Sequence, residues 1–125
     1  MKIAVLMGGN SAEREVSLHS GEAVVEALQR SGTNVFACDY EGDIRNFLSK
    51  LAEADVVFMA LHGGEGENGT VQGVLEEENI VYTGSGPDAS ALAMDKVASK
   101  KLMVENEIPT PDWEFFTSCE DFEAS

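Results

Sequence analysis

Apolar residues along the first 83 positions alternate between short continuous runs and helix-like spacing. The runs predict four strands, at residues 3–7, 34–38, 55–61 and 80–83. The spacing predicts three helices between them: one from the end of loop 8–17 to Ser31-Gly32, one capped by Asp43 over 44–51, and one over 70–79. Strands that alternate with helices through short connections form a parallel sheet flanked by helices. The sequence therefore predicts an α/β unit.

The sequence changes character after residue 83. Gly84 to Pro87 break the alternation of strands and helices. Residues 88–107 predict two short helices, with a cap at Asp88 and a break near Met94-Asp95. The remaining residues predict an extended linker at 108–111, a strand at 113–117 and a helix beginning at 118–125. A lone strand and an incomplete helix cannot bury their apolar faces by themselves. We therefore expect a second domain to begin here, with domains at residues 1–86 and 87–125.

Charge and composition argue against some classes of binding partner and indicate where the protein is located. The net charge of −15, from 23 acidic and 8 basic residues, argues against binding to nucleic acid or anionic membranes. No apolar run approaches the roughly 20 residues that cross a bilayer, and no signal peptide precedes the first strand, so we expect a cytoplasmic protein. Cys38 and Cys119 are far apart and are expected to be reduced thiols.

Three unusual loops follow predicted strands, at residues 8–17, 62–70 and 84–87. In an open α/β sheet, ligands bind beyond the carboxyl ends of the strands, so these loops predict a binding site. Glycines that simply make tight turns would explain any one of them. The first loop has neither the spacing of a dinucleotide fingerprint nor the Gly-Lys-Ser/Thr of a P-loop. Its acids at a helix start favour a ligand that carries a cation, such as an amino acid.

Individual residues in these loops have a functional and a structural interpretation. Glu13 is placed to accept hydrogen bonds from an ammonium group, or to cap a helix and compensate its dipole. Arg14 is expected to pair with Glu13 or Glu15. His62 could move a proton, bind a carboxylate, or cap a strand end. A metal site formed by His62, Glu65 and Glu67 is a weak alternative, because no second nearby histidine completes a usual ligand set.

A lysine cluster at Lys96, Lys100 and Lys101 lies in the second half of an otherwise acidic chain. Lysine can meet phosphate as a point charge, and a solvated helix face is the alternative.

Four segments, taken together, closely resemble the N-terminal part of the D-alanine:D-alanine ligase family. They are Met7 to Ser17, Ala60 to Gly64, Glu67 to Gly73 and Tyr82 to Gly86, and the likeness continues through Met94-Asp95-Lys96 and Lys100. The resemblance runs in order over essentially the whole chain. It implies a Rossmann-like domain followed by the start of an ATP-grasp domain.

The same resemblance implies an enzyme that makes D-alanyl-D-alanine for peptidoglycan, using ATP and magnesium through an acyl phosphate. By the resemblance, Glu13 would bind the ammonium of the first D-alanine, with Val16 beside its methyl group and Ser17 near the same pocket. His62 would contact that D-alanine in positioning or proton transfer, and Lys96 would reach the ATP phosphates. The family commonly forms dimers through this domain.

The resemblance leaves most of the family's ATP-grasp region without a counterpart in these 125 residues. We therefore expect the chain alone to be inactive and to bind ATP and magnesium poorly. The ending inside a predicted helix favours an N-terminal portion of the ligase. A non-catalytic amino-acid-binding or dimerisation module and one half of a split enzyme are the alternatives. The acceptor substrate stays open among D-alanine, D-lactate and D-serine.

Overall fold

The computed structural model describes residues 1–124, which form two compact units, Met1–Met94 and a second that starts at Asp95. The first unit contains strands β1 (Lys2–Gly8), β2 (Asn34–Tyr40) and β3 (Val56–Met59) and helices α1 (Arg14–Arg30), α2 (Leu48–Leu51), α3 (Thr70–Glu77) and α4 (Pro87–Met94). The second contains α5 (Lys96–Glu105) and α6 (Cys119–Ala124). The predicted domain boundary after residue 86 stays a prediction.

The sheet is parallel with the order β2-β1-β3, so β1 lies in the centre. Ala4, Val5 and Leu6 of β1 are fully buried because helices cover both faces of the strand. Alternate residues enter different cores: Ala4 and Leu6 pack on the α2 and α3 side, while Val5 and Met7 pack against the apolar face of α1. The predicted α/β class, a parallel sheet flanked by helices, is confirmed.

The predicted fourth strand is wrong in extent. Residues 80–83 make a single parallel bridge, Val57 to Tyr82, in which the Val57 amide donates to Val81 O (2.8 Å) and the Thr83 amide donates to Val57 O (3.0 Å). The next amide, that of Met59, donates instead to Thr83 Oγ1 (3.1 Å). A side-chain acceptor thus replaces the backbone carbonyl, and the ladder ends.

Three helix starts can be compared with the caps and the break that the sequence predicts. The Asp43 carboxylate accepts from the Arg45 amide (2.9 Å) and begins a 3-10 turn, Ile44–Phe47, that leads into α2, so the predicted cap is confirmed. Asp88 is not a cap, because α4 begins at Pro87 and Asp88 lies in its first turn. The predicted break at residue 95 is confirmed: Asp95 has an extended backbone and its side chain accepts from the Ala98 amide (2.9 Å).

The predicted strand at 113–117 does not form, since a strand needs a neighbour to pair with and the described residues supply none. The predicted C-terminal helix is present as α6, and Ser125 lies outside the described residues. Cys38 is buried in β2, Cys119 is exposed, and both are free thiols. None of the helices in residues 1–124 is long and apolar enough to cross a membrane.

The two tyrosines of the chain predict how its stability depends on alkaline pH. Burial, aided by the charge of Glu65, raises the pKa of Tyr40 to about 12. Desolvation, aided by a hydrogen bond to Glu76, raises the pKa of Tyr82 to about 12. An unfolded tyrosine ionises near about pH 10, so stability is complete below about pH 10 and falls as the pH rises towards about 12. Tyrosinate absorbance should show both groups titrating late in the folded chain and only one late group after Tyr82→Phe; ionisation near pH 10 in the native state would contradict this.

Candidate functional site

The loops that follow β1 and β3 meet at the carboxyl edge of the sheet through one hydroxyl. Ser11 Oγ donates to the backbone carbonyl of His62 (2.6 Å) and accepts from the backbone amide of Glu13 (3.1 Å). Because β1 and β3 are neighbouring parallel strands, their ends bring together residues that are 51 positions apart. Ser11 therefore holds the backbone of both Glu13 and His62.

Glu13 lies immediately before α1 and is exposed. Its side chain makes no capping hydrogen bond to the helix, so capping does not explain it. The carboxylate instead lies against Gly63, where a Cβ atom would collide with Glu13 Oε2. Gly63 also has a φ of +69°, in the left-handed region that favours glycine. Because Gly63 has no side chain, the second loop leaves space for the Glu13 carboxylate, which stays at the surface of the protein.

The prediction that Arg14 pairs with Glu13 or Glu15 is wrong, because its partner is Asp39. Its guanidinium donates two hydrogen bonds to Asp39 at the end of β2 (2.9 and 3.0 Å) and one to Tyr40 O (3.1 Å). The hydrogen bond to Asp39 raises the pKa of Arg14, so the charge is permanent. Arginine has the reach and the forked geometry to span two elements. Arg14 therefore ties the start of α1 to the sheet and leaves Glu13 without a basic partner from its own helix turn.

Ser17 is fully buried, and both of its hydrogen bonds lie inside the protein. Its hydroxyl accepts from the Gly8 amide (2.9 Å) and donates to Ala60 O (2.7 Å). These bonds join α1 to the ends of β1 and β3, directly beneath the two loops. The structure gives Ser17 an anchoring position, and a contact between Ser17 and a ligand stays a prediction. Val16, the preceding residue, is 53% exposed.

His62 follows β3 and is partly buried, with its ring against α1. Its Nε2 lies 3.0 Å from Ser20 Oγ, a residue that sequence reasoning missed. Val16, Ser17 and Ser20 follow Glu13, the residue immediately before α1, at i+3, i+4 and i+7, a spacing that places them on one side of the helix. That spacing was the signal available in the sequence, and two of these residues, Ser17 and Ser20, contact the residues that follow β3.

The third predicted loop joins the second loop. Gly69, with a φ of +92°, approaches the backbone of Pro87 so closely that a Cβ atom would collide with the Pro87 carbonyl oxygen. Glu65 of the second loop accepts from Asn10 Nδ2 (3.3 Å), which also donates to Gly42 O (2.7 Å).

Among residues 1–124, no three histidine, cysteine or acidic side chains are grouped to hold a metal.

The predicted lysine cluster belongs to the second unit and is not uniform. Lys96 is the exposed first residue of α5. Lys100 Nζ is used internally, donating to Thr110 Oγ1 (2.8 Å) and Pro111 O (3.2 Å), so it holds the 108–111 segment against α5. Of these two, Lys96 is the one that presents its charge to solvent.

Comparison with known proteins identifies the family. Residues 2–50 and 40–85 match the family model described as D-ala D-ala ligase N-terminus. The chain is 56% identical over 110 residues to the D-alanine--D-alanine ligase of Syntrophotalea carbinolica, covering 88% of this chain and 36% of that protein. It is 50% identical over 126 residues to the same enzyme of Ectopseudomonas mendocina, covering 99% of this chain and 39% of the relative.

A solved structure agrees with this family and with the fold. The D-alanine--D-alanine ligase of Bacillus anthracis, crystallised with ATP, superposes with a TM-score of 0.85 at 38% identity, covering 97% of this chain and 42% of that chain. The chain thus spans about two fifths of the length of these relatives. Its sequence and its fold agree, and the chain belongs to the D-ala D-ala ligase N-terminus family.

Proposed function

We propose that this chain is the N-terminal part of an ATP-dependent D-alanine:D-alanine ligase and forms the wall of the active site that holds the first D-alanine. The intact enzyme would join two D-alanine molecules into the dipeptide used for peptidoglycan. The relatives that carry this enzyme name match the chain along nearly its whole length.

One observation carries the proposal: Ser11 Oγ bonds the backbone amide of Glu13 and the backbone carbonyl of His62, so that residues with a carboxylate and an imidazole side chain are held on adjacent loops. A D-amino acid has an ammonium group and a carboxylate. Glu13 would accept charge-assisted hydrogen bonds from the ammonium, and His62 would hydrogen-bond the carboxylate or exchange a proton there. The exposed Val16 would contact the methyl group, and the buried Ser17 would hold α1 in place.

The proposed reaction uses ATP and magnesium, and we assign this chain few of the residues that would bind them. ATP supplies the phosphoryl group that activates the first D-alanine as an acyl phosphate. Lys96 fits a phosphate contact because it is an exposed cation at the start of a helix. The described residues contain no grouped carboxylates for a metal, so we assign the magnesium ligands to the part of the ligase beyond this family match. We also place the enzyme in the cytoplasm, where ATP is available, as a homodimer formed through this domain.

A chimeric ligase tests the proposed function. Residues 1–125 would replace the matching segment of the Ectopseudomonas mendocina ligase, which is 50% identical over that stretch. Phosphate release from ATP should then depend on D-alanine, because this chain would complete the first substrate site. The isolated chain should release none, since phosphoryl transfer depends on metal and cationic groups placed around the phosphates.

The outcomes separate the candidate functions. A folded chimera that binds ATP but shows no D-alanine-dependent turnover contradicts the proposal. Turnover by the isolated chain contradicts the view that its site is incomplete. Tight D-alanine binding by the isolated chain in calorimetry, lost on Glu13→Ala, supports the binding module instead.

A further inference from the structure

The hydroxyl of Ser20 is placed to decide which nitrogen of His62 carries the proton. Ser20 lies two turns into α1, and its Oγ is 3.0 Å from His62 Nε2. The hydroxyl of a serine inside a helix can bond the carbonyl four residues earlier or point to solvent. In the part of the chain that the structure describes, the hydroxyl of Ser20 contacts His62 and no other polar group. The hydroxyl is thus dedicated to the ring.

A hydroxyl with a single partner uses its one proton on that partner. If Ser20 accepted a hydrogen bond from an Nε2–H group, its own proton would have no acceptor among residues 1–124. Donation to the lone pair of Nε2 satisfies both groups. A neutral imidazole carries one proton, so a lone pair on Nε2 places that proton on Nδ1.

The backbone of His62 is held as well. Ser11 Oγ donates to the His62 carbonyl at 2.6 Å, and the following residue, Gly63, lies against the Glu13 carboxylate. Two serines therefore hold His62, one at its main chain and one at its ring. The ring nitrogen that remains for a ligand is Nδ1.

We infer that Ser20 is a positioning residue that keeps His62 in the Nδ1–H form, so that the ring acts as a hydrogen-bond donor towards the carboxylate of the first D-alanine. This inference rests on the proposed function for the identity of the ligand. It assigns Ser20 no contact with substrate, and it distinguishes donation by His62 from removal of a substrate proton by its ring.

Nitrogen-15 NMR of the isolated chain tests the tautomer without any substrate. At about pH 8.5 the ring nitrogen shifts of His62 should report mainly Nδ1–H. A neutral histidine in water carries its proton mainly on Nε2. Ser20→Ala should therefore return His62 towards Nε2–H, and Ser20→Thr, which keeps the hydroxyl, should retain the Nδ1–H form.

The matched control is Ser31→Ala, which removes a hydroxyl at the other end of α1, where Ser31 Oγ donates to Leu28 O (2.7 Å). It should leave the His62 shifts unchanged. Amide spectra of each variant establish that the fold is retained. An Nε2–H form in the native chain overturns the inference, and so does a tautomer that Ser20→Ala does not change.

Kinetics of the chimeric ligase test the role in binding. Ser20→Ala should raise the KM of the first D-alanine about 3- to 10-fold with kcat within about twofold, because the His62 ring then loses the Nδ1–H group that bonds substrate and transition state equally. Ser20→Thr should restore most of the loss. A fall in kcat at constant KM overturns the donor role. If the native chimera lacks activity while the tautomer results hold, the proposed function fails and Ser20 still positions the ring.

Discussion

Glu13→Gln in the chimeric ligase is expected to lower kcat/KM for D-alanine about 10- to 150-fold. A hydrogen bond to a charged group contributes about 1.5–3 kcal/mol, and about 1.4 kcal/mol corresponds to a tenfold change. Glutamine keeps the size of the side chain and one acceptor oxygen but removes the charge that an ammonium group would meet. Because the Glu13 side chain makes no capping bond and Arg14 is committed to Asp39, the change should leave α1 intact. The rate of D-alanine-dependent phosphate release measures the effect.

Glu15→Gln is the matched control for this experiment. Glu15 is an exposed acid in the first turn of the same helix, so the substitution makes the same change in net charge. It should change kcat/KM by no more than about fivefold, because a first-turn acid contributes about 0.3–1 kcal/mol through the helix dipole and about 1.4 kcal/mol corresponds to a tenfold change. Equal losses for Glu13→Gln and Glu15→Gln would show that the helix dipole is responsible and would remove Glu13 from the proposed site.

Ser17→Ala is expected to destabilise the isolated chain by about 2–4 kcal/mol. The substitution leaves the Gly8 amide and the Ala60 carbonyl without the hydroxyl that now bonds both of them. A buried polar group left without a partner costs about 1–3 kcal/mol. Alanine fits the space and favours the helix, so the lost hydrogen bonds dominate the result. Urea denaturation followed by circular dichroism measures the change in the free energy of unfolding.

The control for stability is Ser31→Ala, which removes an exposed hydroxyl at the end of the same helix. Surface substitutions of this kind usually stay within about 0.5 kcal/mol. A cost for Ser17→Ala as small as that of Ser31→Ala would mean that water satisfies the Gly8 and Ala60 groups, and the proposed anchoring position of Ser17 would be wrong.

Local patterns were sufficient for most of the fold. The buried run of β1, the cap at Asp43 and the break at Asp95 all depend on neighbouring residues, so spacing and side-chain chemistry predict them. Strand extent at residues 80–83 was not predictable in the same way. That ladder ends because Thr83 Oγ1 accepts from the Met59 amide, a contact between segments 24 residues apart.

The candidate site was also predictable from the sequence only in part. Loop position and residue type singled out Glu13 and His62, and the long motifs supported the family to which the chain belongs. Neither could show that Arg14 pairs with Asp39 instead of an adjacent acid. The choice depends on where β2 ends beside β1, and that follows from the register of the parallel sheet.

The sequence by itself determined the alternation of strands and helices, the placement of charged loops after strands, and the family. The tertiary structure alone decided which hydroxyls and acids meet: Ser11 with His62 across 51 residues, Ser20 with the same ring across 42, and the Glu13 carboxylate with Gly63. Periodicity records which face of an element is buried, and it carries no information about the register between elements. Hydrogen bonds form only within about 3.5 Å, so they depend on that register.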